Sequence, residues 1–327
     1  MPIKSSGAIS FSDIRAEMGP AGTGAMNLGS YRGIAPGIPT NGDISLSDFY
    51  GKSFFVTEII TSGSSWAPKL NFARFIHIFV VGAGGSGGSS WPRSGFTDGV
   101  GAASGGGAGG VAYSRIPRSQ AALSSISIGV GGAGVRSVGE STSTRGNPGT
   151  NTSFTGSGLV MVGNGGSGGN AANRTDSGTT SISVAGALGG TATGGNQGNF
   201  TGGSSGAASI SARGVGKVAS GGGAPAFQSA HNALKNAQDA SGQVGTPGAL
   251  VSGYGSWPTI LSTYQVSRGQ SAVLASNVLS FDGTSGKRNE ESLDATYGAG
   301  SGGIAASGST LYSGRGGNGV IIIVYEI

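Results

Sequence analysis

The chain contains no cysteine and only two histidines. Disulfide staples and the usual zinc ligand sets are thereby excluded, so stability must come from packing, hydrogen bonds or assembly. Charged residues make up 10% and aromatics 7% of the 327 residues. That is too little charge for a disordered tail and too few large side chains for a conventional globular core. Proline occurs only 11 times, and the clusters Gly84-Gly85, Gly105-Gly106-Gly107, Gly109-Gly110 and Gly221-Gly222-Gly223 break the strict third-residue glycine period of collagen. The longest apolar runs, Phe75 to Val81 and Val320 to Tyr325, fall far short of the roughly 20 residues a membrane-spanning helix needs. The opening Met1-Pro2-Ile3-Lys4-Ser5-Ser6 has no apolar stretch of the signal-peptide kind, so a soluble product without membrane insertion is expected. Nineteen basic residues against fourteen acidic give a net charge of +5, but they form no run of even three and mostly stand singly, as Arg93, Arg136, Arg174 and Arg213 do. Without basic runs or interleaved aromatics, nucleic acid is not an expected partner.

What the chain has in abundance is glycine, 69 residues of 327, about a fifth where roughly 7% is usual. Each glycine costs about 0.5–1 kcal/mol relative to alanine in a regular helix or strand, so neither element explains such runs. Extended helices of the polyproline-II kind do, because three residues per turn let glycine-only faces of neighbouring helices approach closely and exchange backbone hydrogen bonds. The stretch Gly186 to Gly195 suits the lining of such a bundle.

The first fifty residues hold an internal repeat. Gly7-Ala8-Ile9-Ser10-Phe11-Ser12-Asp13-Ile14 and Gly42-Asp43-Ile44-Ser45-Leu46-Ser47-Asp48-Phe49 share the pattern G-x-I-S-[FL]-S-D-[IF]. A serine followed three residues later by aspartate reads as a capping box. The pattern predicts a helix from Phe11 to Met18, stopped by Gly19-Pro20, and a shorter one from Leu46 to Tyr50, stopped by Gly51, with a turn-rich linker over Pro36 to Gly42. Residues 1–52 are read as a small docking module, with Ile9, Phe11, Asp13, Ile14, Ile44, Leu46, Asp48 and Phe49 as candidate docking residues.

Residues 53–327 form the second unit. Phe54 to Thr61 and Asn71 to Val81 read as strands joined by the Ser62 to Lys69 turn. Short apolar strands then alternate with glycine runs, as in Ser125 to Val130 before Gly131-Gly132, and Leu159 to Val162 before Gly163 to Gly169. The unit closes with Gly314 to Gly319 leading into Val320 to Tyr325, and its first and last strands are expected to be partners. Phe227 to Ala240 departs from this texture, and a short helix near 229–240 is expected within an insertion over about 224–297. The fold class is therefore mainly β, with extensive polyglycine-II-like segments.

Catalytic motifs do not survive the glycine background. Gly82-Ala83-Gly84-Gly85-Ser86-Gly87 matches G-x-G-x-x-G, but Gly88-Ser89-Ser90-Trp91-Pro92 does not open the helix a dinucleotide site requires. Gly51-Lys52-Ser53 lacks the upstream glycine of a phosphate loop, its place taken by Leu46. Gly202-Gly203-Ser204-Ser205-Gly206 has the spacing of a nucleophile elbow, yet only His77 and His231 exist as bases, and His77 lies inside an apolar strand, where a buried structural role is expected. Glu290, Glu291 and Asp294 beside Lys287 and Arg288 read as a solvated loop rather than paired catalytic carboxylates. No catalytic residue, cofactor or metal site is assigned.

The passage from Phe75 to Gly88, that from Ile126 to Gly134, the segment Asn147 to Phe154 and the terminal Gly316-Gly317-Asn318-Gly319-Val320-Ile321-Ile322 resemble, over roughly residues 72–327, the glycine-rich domain of bacteriophage tail fibres and tail-tip adhesins. The opening Ser6 to Ile14 is similar to that of phage virion structural proteins, cyanophage-like tail proteins among them. The resemblance implies a virion location on the tail, synthesis in the host cytoplasm, attachment to other tail or baseplate proteins through the N-terminus, and a homo-oligomer, a trimer by preference. In such relatives packed polyglycine-II helices carry terminal loops that bind a host receptor. Here that would be a surface polysaccharide or outer-membrane protein, with Trp91, Phe96, Tyr254, Trp257 and Tyr264 as candidate receptor contacts. No long shaft is present, which favours a compact appendage. Rival expectations are a head-associated decoration protein without a receptor role and a tail depolymerase, the latter lacking an acid/base constellation.

Overall fold

The computed structural model describes residues 7–18, 28–32, 38–50, 55–70, 73–91, 100–138, 142–174, 179–213, 216–223, 234–236, 240–242, 287–288, 295, 297–305 and 312–326. Among the described residues strands are the predominant regular element, as expected, with one α-helix, Phe11–Met18, and 3-10 turns at Leu28–Tyr31, Leu46–Phe49 and Arg118–Gln120. The architecture has three parts: a β-sandwich at one end, a lattice of glycine-rich segments in the middle, and short sheets at the other end.

The sandwich forms where the apolar runs lie. Its first sheet has the order Phe55–Ile60, Val320–Glu326, Phe75–Val81, Val111–Pro117, Gly198–Phe200. The expected partnership of the first and last strands is present, with Phe55 opposite Glu326 and Ile60 opposite Ile321. The C-terminal strand also pairs along its whole length with Phe75–Val81, so it lies between the two strands that the Ser62 to Lys69 segment joins. That segment contributes a short strand, Ser65–Trp66, to the second sheet, where Ala192–Thr193, Leu159–Gly163, Thr152–Gly156 and Ser124–Ser127 complete the order. Period-two alternation aims Ile76, Ile78 and Val80 at Trp66, Ile126, Phe154 and Met161 of the second sheet, and Ile321, Ile323 and Tyr325 join the same core.

Beyond Val81 the chain enters the lattice, and its hydrogen bonds reveal the geometry. Along 82–88, the amides of Gly82, Gly85 and Gly88 donate to Gly110, Gly107 and Ser104, whereas those of Ala83 and Ser86 donate to Thr150 and Asn147. Gly84 donates to Gly317, and the Gly87 amide to Ser301 Oγ. Residues three apart thus face the same neighbour on two sides, Gly82, Gly85 and Gly88 on one and Ala83 and Ser86 on another, which is a threefold extended helix. Carbonyls follow the same rule: Ala83 and Ser86 accept from Gly166 and Gly169, Gly85 and Gly88 from Ser301 and Ile304, and Gly84 from Gly132.

Tracing these bonds through all such segments gives a hexagonal array in three layers. The first holds 146–150, 163–170 and 186–191, and the second holds 129–134, 82–88, 104–110 and 202–206. The third holds 313–319, 298–303 and 220–223. Every adjacent pair in this array is bridged by at least one backbone hydrogen bond, and the inner segments 82–88 and 104–110 each have six neighbours. Glycine is required because the backbones touch. A Cβ placed on Gly85 would lie 2.1 Å from the Ser167 carbonyl oxygen, and one on Gly106 would lie 2.1 Å from that of Gly85. The segment from Gly186 enters this lattice as far as Thr191. It then becomes the strand Ala192–Thr193 and turns at Gly194, whose φ is 79°.

At the far end the segments run into short sheets. Lys287–Arg288, Ile304–Ala305, Ser89–Trp91 and Thr142–Thr144 form one, and Ala171–Arg174, Val100–Ala103, Gly216–Ala219 and Leu234–Asn236 a second. Thr179–Val184, Ala208–Arg213 and Ala240–Gly242 form the third. Here one expectation is corrected. Within the stretch predicted as a helix near 229–240, Leu234–Asn236 is a strand paired with Gly216–Ala219, and Ala240–Gly242 is a strand paired with Ala208–Arg213. Sheet edges offer these residues ready hydrogen-bond partners, and that tertiary pairing overrides a weak local helix propensity.

Candidate functional site

Both ends of the molecule carry candidate residues. At the sandwich end the two copies of the repeat fold alike. Ser10 N–H donates to Asp13 Oδ2 at 2.8 Å while Asp13 N–H donates to Ser10 Oγ at 3.2 Å, closing the predicted capping box. Ser45 and Asp48 repeat it, with Ser45 N–H to Asp48 Oδ2 at 2.8 Å. Equivalent positions take equivalent roles. Ile14 and Phe49 are buried in a small core with Tyr31 and Ile38, while Ile9, Ile44 and Leu46 are half-buried against it. Phe49 meets Tyr31 edge-on at 6.0 Å. Most candidate docking residues are therefore the module's own core and caps. Phe11 is the exception, 41% exposed where its counterpart Leu46 is half-buried. Leu70 packs against this core and against the sandwich core, tying module to body.

The sandwich holds two polar clusters that sequence reading did not anticipate. On the first sheet, His77 is buried, as expected for a structural residue, and its Nδ1 lies 2.8 Å from Tyr113 Oη and its Nε2 3.1 Å from Glu326 Oε2. Arg115 donates to the same carboxylate oxygen from Nε and Nη2, at 3.1 and 2.8 Å, and its guanidinium lies 3.5 Å from the centre of the Phe75 ring. Burial works against the Glu326 charge, but hydrogen bonds from His77 and Arg115 outweigh it and hold the carboxyl down at about 2. At the edge, Glu58 accepts from Trp66 Nε1 at 3.2 Å and Tyr325 Oη at 2.9 Å and pairs with Lys69 Nζ at 2.6 Å. Burial, with the Glu58 hydrogen bond and charge adding to it against the Lys69 amide, pushes the Tyr325 hydroxyl up to about 12. A cleft of about 310 Å³ opens here between Glu58, Thr61, Ser65, Trp66 and Lys69. Each carboxylate is spent on neighbouring donors, so both clusters fasten strands together. No signal short of the strand register could have joined Glu326 to His77 and Arg115.

At the far end, of the candidate receptor contacts only Trp91 falls among the described residues; Phe96, Tyr254, Trp257 and Tyr264 lie outside them. Trp91 is half-buried at the end of a strand, and its indole Nε1 is buried without an acceptor. Asn173 Nδ2 donates to the Trp91 carbonyl at 3.1 Å and also to the Thr142 carbonyl, lacing two sheets together. Ser137 clamps Ser89 through N–H to Oγ at 2.9 Å and Oγ to O at 2.8 Å. Arg136 lies 5.2 Å over the exposed Tyr312 ring, beside Val138, which is 67% exposed. The described part of the tip is thus a cross-braced platform in which the Trp91 indole is an unspent buried donor. Among the described residues no cluster of three or more histidine, aspartate or glutamate side chains is placed to hold a metal ion, and no helix is long and apolar enough to cross a membrane.

Fold and site together define a class: a glycine lattice framed by β-sheets at both ends. A family model described as a glycine-rich domain matches residues 60–326, and the chain belongs to that family. The repeat-bearing module lies outside the match. No curated protein matches the chain.

Proposed function

We propose that this protein is a structural component of a phage virion, a tail fibre or tail-tip appendage that docks through its N-terminal module and displays loops for host-receptor attachment. The observation that carries this reading is the separation of the two ends by an inert spacer. Seven lattice residues at about 3.1 Å each hold the module's end and the end with the short sheets roughly 20 Å apart. The spacer's interior exposes no reactive group, and its hydrogen bonds are made within itself. In this reading the protein is not an enzyme, and its partners are tail or baseplate proteins at one end and a host polysaccharide or outer-membrane protein at the other.

Purified protein should compete with particles for adsorption to host cells. Tyr254→Ala combined with Trp257→Ala should abolish that competition while leaving particle assembly normal, and unchanged adsorption would remove these aromatics from the reading. Deleting residues 1–50 should leave a folded body that fails to join the particle. A label on the chain seen on the head rather than the tail would favour a decoration protein instead.

A further inference from the structure

We propose that Asn41, at the entrance to the second copy of the repeat, is a site of spontaneous amide-to-acid conversion, which the fold leaves open there and closes at the two equivalent pairs in the lattice. The inference does not depend on what the protein binds. Asparagine followed by glycine favours this chemistry, because the next backbone nitrogen must reach the side-chain carbonyl carbon and glycine has no Cβ to obstruct it. The chain has three such pairs, Asn41-Gly42, Asn164-Gly165 and Asn318-Gly319. By sequence they rank alike.

The structure separates them. At the first lattice pair the attacking nitrogen is occupied, since the Gly165 amide donates to Asn151 Oδ1 at 3.1 Å, and the side chain is tied, since Asn164 Nδ2 donates to Thr191 Oγ1 at 2.9 Å. The Asn164 amide and carbonyl are bonded to Thr191 and Gly110, each at 2.9 Å. At the second, the Gly319 amide donates to the Gly129 carbonyl at 2.9 Å, Asn318 Oδ1 accepts from the Gly131 amide at 3.0 Å, and the Asn318 carbonyl accepts from the Gly298 amide at 2.8 Å. In both, lattice hydrogen bonds must open before the reacting atoms can meet. Asn41 and Gly42 are exposed, and among the described residues none is hydrogen-bonded to either. A Cβ on Gly42 would meet nothing within 4 Å. Gly42 has a φ of 79° and its counterpart Gly7 one of 90°, but Gly7 follows Ser6, so only the second copy carries the reactive pair.

The step balances with water as its only co-reactant. The Gly42 nitrogen bonds to Asn41 Cγ, the Cγ–Nδ2 bond breaks, and the side-chain nitrogen leaves as ammonia with the Gly42 proton. Water then opens the cyclic imide at either carbonyl carbon. One opening gives aspartate. The other gives isoaspartate, whose main chain runs through Cβ and Cγ and is longer by one atom. Either product places a new carboxylate close to Asp43. The longer chain also leads directly into Ile44, which packs against the module core, and Ser45, whose amide donates to Asp48. The module thus ages chemically while the lattice does not.

The experiment holds the full chain in mildly alkaline buffer at physiological temperature and follows the peptides bearing the three asparagines by mass spectrometry. Isoaspartate is read separately, by methyl transfer from an isoaspartyl methyltransferase. The Asn41 peptide should convert at least about tenfold faster than those of Asn164 and Asn318, because opening the lattice adds to the barrier at the other two. In denaturant all three should convert at similar rates. Asn41→Ser should remove the fast conversion and most of the methyl acceptor while leaving the slow sites as they were. Equal native rates at the three pairs would overturn the proposal, and so would a fast native conversion that survives Asn41→Ser. A difference in rate that persists undiminished in denaturant would assign it to local sequence and overturn the protecting role of the lattice.

Discussion

The sandwich and the lattice are two parts of one chain stabilised by opposite means. In the sandwich, Ile76, Ile78, Val80, Phe154 and Tyr325 bury apolar side chains, and the backbone ladders follow. In the lattice almost nothing apolar is buried. Closeness of backbones replaces it, so each amide of 82–88 finds its partner only because no Cβ stands in the way. The difference lies in what a substitution can do. A sandwich residue that shrinks leaves a cavity, whereas a lattice residue that grows meets main chain on a neighbouring segment that is itself held by other neighbours.

The largest predicted effect follows from that contrast. Gly85 sits in a segment with six neighbours and would place a Cβ 2.1 Å from a carbonyl oxygen. Gly85→Val should leave the protein insoluble, beyond the roughly 1–3 kcal/mol usual for overpacking, because the obstructing atom is backbone. Soluble expression with an unchanged melting curve would refute the close packing. Ile78→Ala in the sandwich should cost about 2–5 kcal/mol and still fold, measured by denaturant titration. If the two changes proved alike, the distinction between the regions would collapse.

A smaller effect separates the regions by pH. The lattice segments have no ionisable side chain except Arg315, whereas the sandwich is fastened through Glu326. Its carboxyl is lowered from 4.5 to about 2, so the stability it lends is complete above about 4.5 and is lost as pH falls from there towards 2. Glu326→Gln should reduce stability at neutral pH, by of order 1 kcal/mol once screening at this partly exposed site is allowed for, and flatten the loss between pH 5 and 3. Identical pH profiles for the variant and the parent would assign the acid sensitivity elsewhere.

The same contrast explains what could be read in advance. Ser10 with Asp13 and Ser45 with Asp48 announced their caps because a capping box is local. Phe75 to Val81 announced a strand because its composition is decisive. Pairing order was harder: Phe55–Ile60, Phe75–Val81 and Val320–Glu326 are all rich in apolar residues, and nothing local says that the last strand lies between the first two. In the lattice glycine has no side chain with which to choose a partner, so the layers could not be foreseen. One signal was there all the same. The period of three belongs to the residues that are not glycine, such as Asn164, Ser167 and Asn170, or Val130, Ala133 and Arg136. Collagen's period is carried by glycine, whereas here it is carried by the residues between the glycines. Leu234–Asn236 was misread because local propensity cannot see an edge strand waiting for a partner.

That period also locates the lattice surface. Inside, the third residue is small, as at Ala83, Ser86 and Ala108, all fully buried. Outside it is larger, and asparagine recurs. Asn164 Nδ2 donates to Thr191 Oγ1 at 2.9 Å, Asn170 Nδ2 to the Ala185 carbonyl at 2.9 Å, and Asn151 Oδ1 accepts the Gly165 amide at 3.1 Å. A hexagonal array must end somewhere, and its outermost segments lack the neighbours that would use their remaining polar groups. The carboxamides stand in for a missing layer, much as charged residues blunt the edge of a sheet. Asn164→Gly with Asn170→Gly preserves the backbone and removes those substitutes. The expected cost is small, about 1 kcal/mol per lost hydrogen bond at most. The larger consequence is an open lattice face, so the variant should self-associate in sedimentation at concentrations where the parent does not. Equal sedimentation of the two would mean that the lattice ends without needing asparagine to close it.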